Sequence, residues 1–597
     1  MPENKWVVCL SFALLAIFLG LGYWLWLSPV AGAADVRVHV RSAWVYYTGL
    51  VDGLDYPDWD ATAYGGRGNP APRFLGAPPL FFASFLQLIG FEALAAVKIV
   101  VVIFALSGLA GLYFWLSVIG LSGFFPWAAL FFLVHPLVSF HLGVAFLFQN
   151  LCAYFFSPWL WCAAVTVWKG DRRAYLFSSL AMGFIAWLHL YFAFMVGCAW
   201  VLLMLAGWFK TWQPRFLTAT FLVPVLAMMF SAPYLLPVML TSGDVYYEEV
   251  SRVLRPGQPG CEFIDELVVD DKNQAMSRWQ SLLELTKSPQ EGLPPHLRNK
   301  GLVKSILQMK SSENRLKALR PWLLACLILC FLVAGAGSLR QDIAEKEPLV
   351  PLWTWLLAGS CCAFMSLRFS YVIYSVLPGA MAVQFPFRWL LPAFSLWLPL
   401  IAVAPAGGAN KPEIRCRFIA WFSKILLTIV LLLGVLLQSL FWVLPADSIK
   451  SFFAAPGHLA PFYPRAVPSP RDVPESAGAP HLIEIASGSG VITGYLAGVA
   501  WLEAQGKAQT PIELHINTHY DPGWRFTTAK TGSVKPVVDK KDGTMLLQIP
   551  AGTWILSMDR ASPAGRLPGW LLMFVSLFIM AFSARTVLRN ERDREQL

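Results

Sequence analysis

Five aspartates stand in the stretch between residues 34 and 80: Asp35, Asp52, Asp55, Asp58 and Asp60. Asp35 has His39 four residues on, which puts both on one face if the backbone there is helical. A carboxylate in that setting suits two chemistries. It can act as general base toward an acceptor hydroxyl, or it can bind a divalent cation, Mg or Mn, that holds a phosphate leaving group. It equally suits a plain solubilising residue at a membrane edge. Asp58 and Asp60 flank Trp59 in YPDWD. Carboxylates alternating with an aromatic ring fit a metal ion or sugar hydroxyls, with the ring on a sugar face, although loop acids are more often simply solvated. Far along the chain, Arg388 in FPFRW is the guanidinium best suited to clamp a phosphate bidentately. Arg368 borders the same segment, and snorkelling is the plain alternative for both. His189 lies at the junction of two apolar runs, where a satisfied core histidine is the commoner outcome. His135 and His141 read as helix-end residues.

The elements that must position these residues are apolar. The chain of 597 residues is 57% hydrophobic and 14% charged, against about 25% charged in a soluble domain. Continuous apolar runs, rather than alternating ones, exclude a membrane β-barrel. Runs of about 20 residues recur at 6–29, 93–119, 123–142, 148–168, 174–189, 191–209, 216–240, 321–338, 351–367, 388–406, 418–444 and 568–587. The first is read as an uncleaved helix, being longer than the core of a signal peptide. Residues 79–91 are apolar but too few to span and are expected to form an interfacial helix. With twelve spans and the N-terminus inside, each basic cluster falls on the cytoplasmic side, among them Lys169 with Arg172 and Arg173, and Lys210 with Arg215. The net charge of +10 follows from that bias and not from nucleic-acid binding. Of ten cysteines, only Cys261 lies in a long polar segment, so no disulfide framework is expected.

This topology leaves 30–92, 241–320, 368–387 and 445–567 outside. Segment 241–320 suggests amphipathic helices forming a structural cap. After a Pro-rich linker, 445–567 carries short β-like runs (HLIEIA, IELHINTHY, WRFTTA, KPVVD, TMLLQI, TWILSMD) between Gly, Asp and Pro turns. They predict a small antiparallel β-sandwich. The domains are thus 1–444, membrane-embedded; 445–567, the sandwich; and 568–597, a last span and tail.

Three separated stretches resemble one family. They are AADVRVHV with GLDYPDW, AYGGRGNP and APPL; FMSLRFSYVIYSVLPGAMAVQFPFRWL; and HYDPGWRF with IPAGTWIL. The resemblance is to the bacterial membrane proteins called pyruvoyl-tetrahydropterin-synthase-related and to their YfhO-type relatives. It implies a glycosyltransferase-C (GT-C) architecture in the bacterial cytoplasmic membrane, taking a sugar from a polyprenyl-phosphate donor at the periplasmic or extracellular face. The acceptor would be an envelope glycan, lipid or protein. By the same resemblance Asp35 is the carboxylate that serves as base or metal ligand, with Asp58 the weaker candidate. His39, Tyr56, Trp59, Asp60, Arg388 and His189 would surround the substrates. Where that family often has an acid eight residues before a proline, this chain has Asn150 before Pro158. Two other classes remain open: a transporter of lipid-linked glycans, and a non-catalytic scaffold of polysaccharide assembly.

Overall fold

The computed structural model describes residues 36–244 (without 62, 64–66, 136, 139–140, 143–146 and 172), 325, 327–336, 338, 350–376 (without 368–369), 386–404, 421–432, 483–540 (without 499–500) and 543–595. Asp35, Arg368, the run 6–29 and the segment 245–320 lie outside them. The described helices are α1 Val36–Val51, α2 Ala77–Leu88, α3 Ala93–Val118, α4 Phe125–Val134, α5 Phe148–Lys169, α6 Arg173–Leu188, α7 Leu190–Thr211, α8 Pro214–Phe230, α9 Ala232–Thr241, α10 Leu327–Ala336, α11 Leu352–Phe364, α12 Tyr371–Val376, α13 Leu390–Val403, α14 Trp421–Leu432 and α15 Arg566–Glu595.

Among the described residues three helices, α3, α5 and α7, are long and apolar enough to cross a membrane, and the pair α8–α9 makes a fourth if counted as one span. At 1.5 Å per residue α3 is about 39 Å long and α5 about 33 Å, against a hydrocarbon core of about 30 Å. Several of the other expected runs form shorter apolar helices among the described residues. Two departures have local causes. The run 123–142 stops being regular α-helix at His135, whose backbone is extended (φ −60°, ψ 150°), because Pro136 disfavours helical geometry in the residue before it. The run 216–240 bends by 78° between α8 and α9. Pro233 sits in the first turn of α9, where it removes an N–H and crowds the preceding turn.

The loop between α5 and α6 and that between α7 and α8 meet at one end of the bundle. Arg215 donates to the Trp168 carbonyl at 2.8 Å, and the Tyr175 hydroxyl to the Arg215 carbonyl at 3.2 Å. Gly170 closes α5 in the left-handed region (φ 86°), which glycine adopts without a Cβ penalty. At the other end, α6 gives way to α7 at His189, in extended backbone (φ −161°). Helix α2, expected as an interfacial helix, packs on α1: Ser84 Oγ and Gln87 Nε2 both donate to the Ala43 carbonyl, at 3.1 and 3.0 Å. Its N-cap, Gly76, lies against the α6–α7 junction so closely that a Cβ would overlap the Leu188 carbonyl oxygen.

The C-terminal region is a pair of antiparallel sheets. Strands are β1 Ile483–Ser487, β2 Gly490–Ala497, β3 Trp501–Ala508, β4 Ile512–His519, β5 Trp524–Thr528, β6 Gly532–Val534, β7 Val537–Val538, β8 Thr544–Ile549 and β9 Gly552–Arg560. They order as β1-β4-β8-β7 and β2-β3-β9-β5-β6. Alternate residues from both sheets, including Leu514 and Leu547 from one and Phe526 and Leu556 from the other, share a buried core, as facing sheets require. Strands β2 and β3 do not figure among the expected runs, because Gly494, Ala497, Ala504, Gly506 and Ala508 dilute their β-pattern. The chain then returns to the bundle. Helix α15 packs on α8 and α9, with the Ser576 hydroxyl donating to the Leu226 carbonyl at 3.1 Å.

Gly76→Ala is expected to destabilise the protein by about 1–3 kcal/mol, the usual cost of overpacking a tight contact. Thermal unfolding of the purified full chain in detergent checks this; an unchanged midpoint would show that α2 does not need this approach.

Candidate active site

The loop from α1 to α2 is held by a buried cluster of charges. Arg73 donates through Nε and one terminal nitrogen to Asp58 Oδ2 at 3.2 and 3.1 Å, and the same terminal nitrogen donates to Asp521 Oδ2 at 3.1 Å. Arg560, at the end of β9, donates to both oxygens of Asp58, at 2.9 and 3.2 Å, and to Asp521 Oδ1 at 3.2 Å. The four side chains are 1–4% exposed. The Gly523 amide completes Asp521 by donating to Oδ1 at 2.8 Å, an Asx-type turn that the DPG sequence favours. Burial alone raises the Asp58 pKa. Arg560 and then Arg73 outweigh it and hold the carboxyl at about 2.

Trp59 is fully buried and belongs to the core of the sandwich, not to that of the bundle. Its ring meets Trp524 edge-on at 5.5 Å, with the Arg560 guanidinium 4.4 Å from its centroid. Gly68, with φ +84°, lies where a Cβ would strike the Trp59 ring. Beyond it, the His519 amide donates to the Arg67 carbonyl at 2.7 Å, and the His519 Nδ1 pairs with the Gly68 carbonyl at 3.0 Å. Asp60 pairs with Arg41 of α1 at 2.6 Å and forms a backbone bridge with Asn69. Tyr56 is buried against Tyr46, Phe81 and the Arg566 guanidinium, the last 3.8 Å from its ring centroid. Burial pushes its hydroxyl pKa up to about 12.

These placements correct the reading of YPDWD as a substrate-binding wall. Asp58, Trp59 and Asp60 dock the loop. Trp59 and Tyr56 present no exposed face to a sugar. Asp58 also does not fit a divalent cation, since both its oxygens already accept from guanidiniums. Among the described residues no group of three or more His, Cys, Asp and Glu side chains is placed to hold a metal ion.

A second polar group forms beside this docked loop. Arg388 stands in the single turn Pro386–Trp389 ahead of α13 and is buried. His39 on α1, His141 and His189 all lie within electrostatic reach of it, and His189 also within reach of His39 and His141. His141, which reads from sequence as a helix end only, thus lies within reach of the same guanidinium as His39 and His189. His135 remains apart from Arg388, its Nε2 paired with the Tyr154 hydroxyl at 3.0 Å. His189 caps α7 by accepting from the Phe192 amide at 3.1 Å, a side-chain cap of the kind Ser and Asp usually supply. Burial, and secondly Arg388, lower the His39 pKa to about 3. His39 is therefore neutral at physiological pH, a poor proton acceptor but a competent hydrogen-bond partner. Its ring lies 5.8 Å from Phe148 in the first turn of α5. In that same turn Asn150 is 1% exposed, and neither its amide oxygen nor its nitrogen has a hydrogen-bond partner among the described residues.

An apolar cleft of about 960 Å³ runs between α7, the bent α8–α9 pair and α11. Phe194, Met228, Met239 and Cys362 line it, together with Leu190 and Trp389, the chain neighbours of His189 and Arg388. Met228 and Met239 are more than half exposed, so the cleft opens on the outside of the bundle.

No family model and no curated protein matches the chain. Among solved structures it is similar to the arabinofuranosyltransferase AftD from Mycobacteria, at 16% identity and a TM-score of 0.39, over 75% of this chain and 28% of that one. It is also similar to ArnT from Cupriavidus metallidurans bound to undecaprenyl phosphate, at 12% and 0.33, over 74% and 90%. A third is an Archaeoglobus fulgidus oligosaccharyltransferase, at 10% and 0.37, over 73% and 57%. The chain spans little more than a quarter of the length of the arabinofuranosyltransferase. All three scores are below 0.5, too low for residue correspondence.

Asp58→Asn is expected to cost about 3–5 kcal/mol, since it leaves two buried guanidiniums undercompensated. The same carboxyl sets a pH limit. Its folded pKa of about 2 lies below its ordinary 3.8, so its contribution is fully present above pH 4 and is lost as pH falls toward 2. Limited proteolysis of the loop between pH 5 and 2 reads both effects. Protection that is equal in variant and wild type would refute the docking role.

Proposed function

We propose that this chain is a membrane glycosyltransferase that takes a sugar from a polyprenyl-phosphate donor and passes it to an envelope acceptor. The observation that carries the reading is the convergence of Arg388 with three histidines from separate parts of the chain, next in sequence to Leu190 and Trp389, which line an apolar cleft. A guanidinium next to a cleft open on the outside of the bundle suits a ligand with an anionic head and an isoprenoid tail. The sequence resemblance to the YfhO-type proteins supports the same class.

In this reading the tail occupies the cleft along Phe194 and Met228, and the phosphate faces Arg388. The acceptor oxygen bonds to the anomeric carbon as the bond from that carbon to the phosphate oxygen breaks. The acceptor proton passes to the carboxylate of Asp35, which stands one residue before α1 in sequence and outside the described residues. The lipid phosphate departs as an anion stabilised by Arg388, and being a weak base it needs no strong general acid. His39, neutral, and Asn150, with an unused amide, hold sugar or acceptor hydroxyls.

Arg388→Gln is expected to lower sugar transfer by a factor of about 10²–10³, the usual cost of losing one preorganised charge-stabilising group. Arg388→Lys should recover part of the loss, because it keeps the charge but not the fork. The assay uses the full chain in nanodiscs with a panel of polyprenyl-phosphate sugars. Full activity of Arg388→Gln would refute the phosphate role. Wild-type protein that binds these lipids but transfers no sugar would favour the scaffold or transporter classes.

A further inference from the structure

Arg566 opens α15 and is 7% exposed. Its guanidinium rests on Tyr56, its Nε has no hydrogen-bond partner, and no carboxylate among the described residues accepts from it. Its neighbours at the loop–sandwich joint are otherwise balanced: Arg73 and Arg560 are matched by Asp58 and Asp521. Arg566 is within electrostatic reach of Asp58, but the oxygens of Asp58 are already taken by the other two guanidiniums. Among the described residues three buried guanidiniums thus share two carboxylates, and the positive charge left without a carboxylate there is that of Arg566. An unpaired buried charge is costly, and such charges in proteins are normally paired.

Its place is informative. Tyr56 contacts Tyr46 at 5.9 Å, and Tyr46 lies seven residues from His39, on the same face of α1 (i, i+7). At 1.5 Å per residue this is about 10 Å along the helix. One face of α1 therefore looks toward Arg388 near its start and, through Tyr46 and Tyr56, toward Arg566 two turns on. The preceding residue, Gly565, packs on Leu236 and Leu240 of α9, whose Leu235 and Met239 line the apolar cleft.

We propose that Arg566 binds a phosphate group of a second molecule, distinct from the one held at Arg388. Assigning that molecule as the acceptor rests on the transferase reading; the binding itself does not. The site calls for a phosphate ester or a free phosphate, with the guanidinium as clamp and the Tyr56 ring as its backing.

The test uses the full chain in detergent with inorganic phosphate as probe, against chloride at matched ionic strength. Thermal midpoints are followed in wild type, Arg388→Gln, and Arg388→Gln with Arg566→Gln. The single variant should keep a saturable rise in midpoint with phosphate, and the double variant should lose it. Equal responses in the two would overturn the proposal. So would no response in the single variant, which would leave the Arg388 reading intact. If Arg566→Gln does not fold, Arg566→Lys in the Arg388→Gln background should shift half-saturation several-fold upward, and an unchanged half-saturation would refute the site. Phosphatidylglycerol nanodiscs identify the source. A lipid headgroup at the site would abolish the phosphate response in Arg388→Gln, whereas a polar phosphate ligand would leave it in place.

Discussion

The buried set formed by Asp58, Arg73, Asp521 and Arg560 is the constraint on which the rest depends. Residues 58 and 73 come from the loop after α1, and residues 521 and 560 from the sandwich. Any one of these charges alone would be expensive to bury, so none is stable unless both parts of the chain are docked. Trp59, set inside the sandwich core, adds the apolar half of the same joint. Loop and sandwich therefore behave as one body. That body is tied to the bundle by the Arg41–Asp60 pair, by the contact of Gly76 with Leu188, and by the direct run from β9 into α15.

A fixed loop fixes what lies beside it. Helix α1 carries His39 to Arg388, and α2 abuts the junction at which His189 caps α7. Arg388 thereby has His39, His141 and His189 within its electrostatic reach. Trp389, its chain neighbour, lines the apolar cleft. The acids divide between two tasks: Asp58 and Asp60 hold the loop in place, and Asp35 is the proposed base. This division of labour accounts for five aspartates in one stretch of which Asp58 and Asp60 serve docking.

Much of this was legible in the sequence, and the reasons are physical. Helices α3, α5 and α7 follow from uninterrupted apolar runs, and the sandwich from short strands between turns. The break at His135 and the bend between α8 and α9 are less legible, because a proline in an apolar run can be absorbed within a helix or can interrupt it. YPDWD was misread because acids beside an aromatic look the same whether they face a sugar or a pair of arginines. Asp521 lies 448 residues from Arg73, and Arg560 lies 502 residues from Asp58, and no local pattern links them. The DPGW turn was the one available signal, since an Asp before Pro-Gly is often held by its own backbone. Arg566 was overlooked because an arginine beside an apolar run ordinarily reads as a snorkelling residue.

The measurement that tests the account most directly is an experimental structure of the full chain in nanodiscs with a polyprenyl phosphate. The account predicts density for the tail in the cleft between α7 and α11, along Phe194 and Met228. The phosphate should lie within hydrogen-bond distance of Arg388, beside His39 and His189. A phosphate bound elsewhere, or a cleft that stays empty at saturating lipid, would contradict it.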